Sequence, residues 1–133
     1  MNENKPIKSL ESIDLSYCTI LDKNFSGVHF VGASFRGARF ENVDFSGVSF
    51  QNCDFTDSRL TDCDLRHVTA VNSSFTLTIF ESCALTDMKM ENCDIEAVSD
   101  YDTDLEEVNM DEQTKATMSD MDEDFGSMKG GMC

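Results

Sequence analysis

The side chains able to do chemistry in this sequence are its 26 carboxylates, six cysteines and two histidines. Two carboxylates facing each other across a groove can serve as acid and base on a glycosidic bond. Here the acids recur at fixed places in a repeating pattern, which spreads them over a convex surface and implies no groove. Ser73 and Ser74 lack a histidine and an acid placed to activate them, and ladder bonding is their expected role. His29 and His67 fall at different places in the repeat and read as solvent contacts. A zinc site wants Cys and His ligands at short spacings such as CxxC, and no such pair is present. Residues 100–104 and 120–124 are rich in Asp but lack the ligand offsets and closing Glu of a calcium loop. The sequence has no GxxxxGK phosphate loop. It predicts no enzyme, no cofactor and no metal.

What must position these residues is a period of five. Every fifth residue from Leu10 through Leu15 and Ile20 to Ile95 is apolar, with seven consecutive Phe from Phe25 to Phe55. A helix repeats near 3.6 and a strand at 2, so the pattern is an internal repeat of another kind. A second column stands two residues before the first and holds small residues such as Ala33, Ala38, Val43, Cys53 and Cys63. Only Lys8 and Lys23 are charged there.

The repeating unit resembles the pentapeptide-repeat family, whose motif is roughly A(D/N)LXX. It is carried by Val43-Asp44-Phe45-Ser46-Gly47, Cys53-Asp54-Phe55-Thr56-Asp57, Cys63-Asp64-Leu65-Arg66-His67 and Cys93-Asp94-Ile95-Glu96-Ala97. The resemblance implies an all-β fold, a right-handed quadrilateral β-helix of about five coils. Four repeats would make one turn, so residues twenty apart would stack about 4.8 Å apart. The expected organisation is a lead-in over residues 1–9, the solenoid over 10–110 and an acidic, Met-rich tail over 111–133.

Several features are expected within that frame. Cys18, Cys53, Cys63, Cys83 and Cys93 share the small inward column and read as buried free thiols, small hydrophobes of the core. Gly27, Gly32, Gly37 and Gly47 lie at corners where positive φ is needed. Later corners use Asn and Asp, which tolerate such angles, and a change of turn type near Asn52 is expected. Residues 68–80 fit the repeat least well, with Ala70 small between Phe50 and Met90 in its ladder. That stretch reads as a local bulge or, with Leu77 and Ile79 facing outward, as a secondary contact patch. In the tail, Met118, Met121, Phe125, Met128 and Met132 follow a helical 3, 4, 3, 4 spacing. They mark either a capping or dimerisation helix or, given Gly126, Gly130 and Gly131, a disordered end.

Net charge is −16, with −7 in residues 1–99 and −9 in residues 100–133. That disfavours nucleic acid phosphates and anionic membranes and suits basic protein surfaces. The polar start lacks an apolar signal core, so a cytoplasmic location is expected. One edge should collect Glu41, Asp44, Asp62, Asp64 and Glu81 as the interaction surface. Arg36, Arg39 and Arg59 should occupy the next side, making the rod electrically two-sided. The functional expectation is a non-enzymatic interaction or structural module, monomeric or weakly dimeric, with a basic protein partner. The alternative, implied by the resemblance, is a DNA mimic that binds DNA gyrase or topoisomerase IV and protects it from quinolones.

Overall fold

The computed structural model describes residues 9–122. Its chain winds as a parallel β-solenoid in which every partner lies twenty residues away. Strands β1 (Ser9–Glu11), β3 (His29–Val31), β5 (Ser49–Gln51), β7 (Thr69–Val71), β9 (Lys89–Glu91) and β11 (Asn109–Met110) form one parallel sheet in that order. Strands β2 (Thr19–Leu21), β4 (Arg39–Glu41), β6 (Arg59–Thr61), β8 (Ile79–Glu81) and β10 (Ser99–Tyr101) form the other. The stretches between them pair only through isolated bridges, along Asp14, Ser34, Asp54, Ser74 and Asp94 on one side and Asn24, Asp44, Asp64 and Ala84 on the other. Three-residue strands suffice because each adds only one inward side chain before a corner.

The corners explain the period. Every corner residue has positive φ, from Ser12 at 57° through Asn52 at 56° to Asp102 at 51°. The expected change of turn type at Asn52 does not occur. The corners alternate instead. Those after the bridge sides close with an i to i+3 hydrogen bond, as Cys18 N–H to the Leu15 carbonyl at 3.1 Å and Val48 N–H to Phe45 at 3.0 Å. Positive φ at the third residue of such a turn fits type II. Asp or Asn before the inward residue anchors it: the carboxylates of Asp14, Asp44, Asp54, Asp64 and Asp94 accept the N–H two residues on, at 2.8 to 3.0 Å. Glycine matters most at Gly37. A Cβ there would stand 2.5 Å from the Tyr17 ring, whereas at Gly47 it would meet nothing.

The interior is packed throughout. Phe30, Phe35, Phe40, Phe45, Phe50 and Phe55 are fully buried. Rings twenty apart stack, as Phe55 on Phe75 at 4.7 Å and 11°. Rings five apart meet edge to face, as Phe50 and Phe55 at 4.8 Å and 87°. Both are favoured arrangements of aromatic quadrupoles. Residues 68–80 carry no bulge. Ala70 is buried in register between Phe50 and Met90. The polar Ser73 and Thr78 are absorbed by hydrogen bonds, Ser73 Oγ to the Val71 carbonyl at 3.0 Å and Thr78 Oγ1 to Phe55 at 2.7 Å.

Cys53, Cys63, Cys83 and Cys93 are free and buried, their S–H groups directed at backbone carbonyls. Cys18 departs from the expectation. It is exposed, because among the described residues no coil covers the first one.

The last coil is closed by helix α1 (Glu112–Asp122). Asp111 is its N-cap, accepting the Thr114 N–H at 3.0 Å through its side chain, and Thr114, by its hydroxyl first and this N–H second, holds that carboxyl below the usual range. The helix stands where a sixth coil would continue. Its polar side chains take the edge donors that such a coil would have taken: Asn92 N–H to Asp111 Oδ2 at 2.9 Å, Cys93 N–H to Thr114 Oγ1 at 3.0 Å and Ile95 N–H to Thr117 Oγ1 at 3.0 Å. Unpaired edge groups invite association, and here they are satisfied within the chain.

Candidate interaction surface

The five acids singled out in the sequence share one edge, where the five-stranded sheet turns into a bridge side. Glu41 and Glu81 end β4 and β8, two coils apart with Thr61 between them. Asp62 stands at the corner, exposed, with φ 54°. Asp44 and Asp64 face each other as a parallel bridge pair on adjacent coils. At the inter-strand spacing of about 4.8 Å, stacked like charges repel.

Their partners divide them. Asp44 Oδ1 accepts from the Ser46 backbone and hydroxyl at 2.8 and 2.7 Å. Asp64 receives the Arg66 guanidinium at 2.9 and 2.7 Å, and that bond holds its carboxyl below the usual range. Glu81 pairs with Arg59 at 2.9 Å. Glu41 and Asp62 have no side-chain partner among the described residues. The edge thus presents two free carboxylates between three tied ones. Asp44 and Asp64 also anchor turns, a structural duty beside any role at the surface.

The two-sided charge distribution is not observed. Arg39 and Arg59 open the same strands, β4 and β6, on whose sheet Glu41 and Glu81 lie, and Arg59 reaches across to Glu81. Arg36 lies on the neighbouring bridge side, 3.6 Å from Asp54. With the side-chain period of a strand, positions 39 and 41 project to the same face, so both signs share it.

Of the secondary patch, Leu77 is half exposed at a corner with φ 61°, whereas Ile79, opening β8, is partly buried. Of the tail stripe, Met118 packs against the core from α1. Met121 lies within the helix bounds, while Phe125, Met128 and Met132 lie outside the described residues. Thr114 and Thr117, which do the capping, were missed. The spacing Asp111-x-x-Thr114 was the available signal for the helix start.

Among the described residues no group of three or more His, Cys, Asp or Glu side chains could hold a metal ion. His67 Nδ1 lies 3.6 Å from Asp87, both well exposed.

No curated protein matches the sequence. The solved structure of a pentapeptide repeat protein from the Arabidopsis thaliana thylakoid lumen matches with a TM-score of 0.55 and 16% identity, covering 86% of this chain and 76% of that one. A pentapeptide repeat protein, Rfr23, from the cyanobacterium Cyanothece 51142 matches with a TM-score of 0.31 and 11% identity over 80% and 87% of the two chains. A trypsin-treated variant of QnrB1, a plasmid-mediated fluoroquinolone resistance protein, matches with a TM-score of 0.28 and 12% identity over 87% and 97%. The first of these corrects the cytoplasmic expectation. A solenoid of this kind resides in the thylakoid lumen, so the fold does not argue for the cytoplasm. A family model, Pentapeptide repeats in eight copies, matches residues 24–62 and 58–96, within the run from Ser12 to Asp102 over which the corners recur every fifth residue. The chain belongs to the pentapeptide-repeat family.

Proposed function

We propose that this protein is an interaction module whose acidic edge, Glu41, Asp44, Asp62, Asp64 and Glu81, binds a protein with a basic surface. The family is a non-catalytic structural one, and the solenoid serves as a scaffold that presents surface ladders. The observation that carries the reading is the stacked Asp44 and Asp64 pair beside the unpartnered Glu41 and Asp62. Turn anchoring accounts for the Asp44 and Asp64 stack, but Glu41 and Asp62 have no such bonds, and a partner's Lys and Arg would neutralise the whole edge. The solenoid is taken as right-handed and the protein as monomeric or weakly dimeric.

A lysine-rich peptide serves as the probe of this edge. The triple substitution Asp44→Asn, Asp62→Asn and Asp64→Asn keeps the turn-anchoring oxygens and removes three charges. It is expected to weaken peptide binding at low salt, and the difference should shrink at high salt as exposed charge is screened. Equal affinity of the two folded proteins at low salt rejects the edge.

Net charge favours a second reading, DNA mimicry toward a type II topoisomerase. In a gyrase supercoiling assay the protein would then protect the enzyme from a quinolone, and the triple variant would not.

A further inference from the structure

The outer face of the five-stranded sheet carries two columns of side chains. One runs through Arg39, Arg59 and Ile79, and the other through Glu41, Thr61 and Glu81. Positions two apart on a strand project to the same side, so a basic column lies directly beside an acidic one. Arg39 and Arg59 are register partners on β4 and β6, and a like-charge pair destabilises a sheet. Arg59 is answered by Glu81 at 2.9 Å. Arg39 and Glu41 are both exposed, and among the described residues neither side chain has an ion pair or a hydrogen bond. The exposed large hydrophobic side chains among the described residues border this same face. Leu21 and Tyr101 stand at the two ends of the acidic column, and Tyr17 and Leu77 occupy the corner row that precedes the sheet. Apolar groups gathered on one side of a soluble protein mark a contact, and Tyr with Arg is the composition of interface hot spots.

We propose that this face binds a second copy of the chain across a two-fold axis parallel to the rod. That axis exchanges the two columns, so Arg39 of each copy stands opposite Glu41 of the other. One operation thus pairs both unpartnered charges twice. Leu21 closes the contact at one end and Tyr101 at the other. Turning one rod end for end about the level of β6 would instead set Glu41 against Glu81 and Arg59 against Arg59, which like-charge repulsion disfavours. The order of signs also selects the occupant. A uniformly basic or acidic partner would answer one column and repel the other, whereas the same face in reverse answers both. At about 4.8 Å per strand and about 3.3 Å per residue, the five strands make a face of about 24 by 10 Å. That is well below the roughly 800 Å² per partner of a stable complex, so the dimer is weak and forms only as concentration rises. The net charge of −16 on each copy limits it further. The dimer does not rest on the acidic-edge reading. It takes Glu41 from that edge, while Asp44 and Asp64 lie on the next side of the rod, outside the contact.

Sedimentation of the full chain over a concentration series up to about 1 mM should show a reversible equilibrium between monomer and dimer. Arg39→Glu and Glu41→Arg should each weaken it by about tenfold or more, although they move the net charge in opposite directions. An equal mixture of the two variants should dimerise as the parent does, because every facing pair is then opposite in sign. Both positions point outward, so circular dichroism and urea midpoints should match the parent. Should either variant fold poorly, Arg39→Gln with Glu41→Gln removes both charges at similar size, and the same loss is expected. A parent that stays monomeric throughout overturns the proposal. So does a dimer indifferent to these substitutions, which would lie on another face, and so does a mixture of the two folded variants that remains monomeric. The Asp44, Asp62 and Asp64 triple variant changes neither Arg39 nor Glu41 and should still dimerise, so failure here leaves the acidic-edge reading standing.

Discussion

The first and last coils of the rod carry the same repeat and reach different degrees of burial. In the first, Leu10, Ile13, Leu15, Ile20 and Phe25 remain partly exposed, and Cys18 is open to solvent. In the last, Cys93, Ile95 and Val98 are buried, and α1 holds the edge donors of that coil. Inward register is a property of the repeat, but burial requires a neighbour on both sides. The C-terminal end supplies a neighbour of another kind, a helix whose Asp and Thr side chains substitute for strand carbonyls.

Breaking the middle should have the largest effect. Phe50 is fully buried between Phe30 and Ala70, with rings edge-on at Phe45 and Phe55. Phe50→Ala is expected to destabilise by about 3–5 kcal/mol, transfer and cavity terms together. Phe25→Ala, in the uncovered coil, should cost distinctly less. Urea unfolding midpoints of the two variants measure the difference, and equal losses would show that the first coil is as enclosed as the third.

The second effect sharpens the comparison at the capped end. Thr114 is wholly buried and accepts the Cys93 N–H. Thr114→Val keeps the shape and leaves that donor unsatisfied, at a cost of about 1–3 kcal/mol. Amide exchange should accelerate at Cys93 and Ile95 and stay slow at Phe50. If all amides accelerate equally, the rod unfolds as one unit and the helix is no local cap.

These two variants also mark what the sequence made legible. Phe50 was readable because a fivefold column is a long, redundant signal, and its inward direction needs only the register. Ala70 was misread as a defect, since volume along one ladder was weighed without the hydrogen bonds that Ser73 and Thr78 make to neighbouring coils. Cys18 was misread because a repeat carries no mark of where stacking stops. The acidic edge was legible as a row of positions. Its electrostatics were not, because the Arg59 and Glu81 pair joins residues 22 apart through the coil stack. The helix start was hidden by reading only apolar spacing in a segment whose polar Asp111, Thr114 and Thr117 make the contacts.

At neutral pH the smallest effect is on the thiols, and it separates the two ends chemically. Burial raises the Cys93 thiol from its ordinary value of 9.0 to about 11, and burial likewise pushes Cys53 up. Cys63 is raised first by the neighbouring Cys83 thiol and then by burial. Cys83 is held lower by the hydrogen bond it accepts from the Cys63 thiol, but it is buried with the other three, so all four should resist alkylation in the native protein while the exposed Cys18 reacts. Substituting Cys18→Ser should remove that labelling without moving the unfolding midpoint. The linkage for Cys93 has a definite sign. The folded state binds this proton more tightly than the unfolded state, so its contribution is fully present below pH 9.0. It is lost as pH rises from 9.0 to about 11, where the unfolded thiol ionises first. Urea midpoints should therefore fall across that window in the parent and fall less steeply in Cys93→Ala, after allowance for that variant's lower starting stability. Parallel slopes would mean that Cys93 titrates alike in both states, and that α1 does not shield the last coil as the Thr114 contact implies.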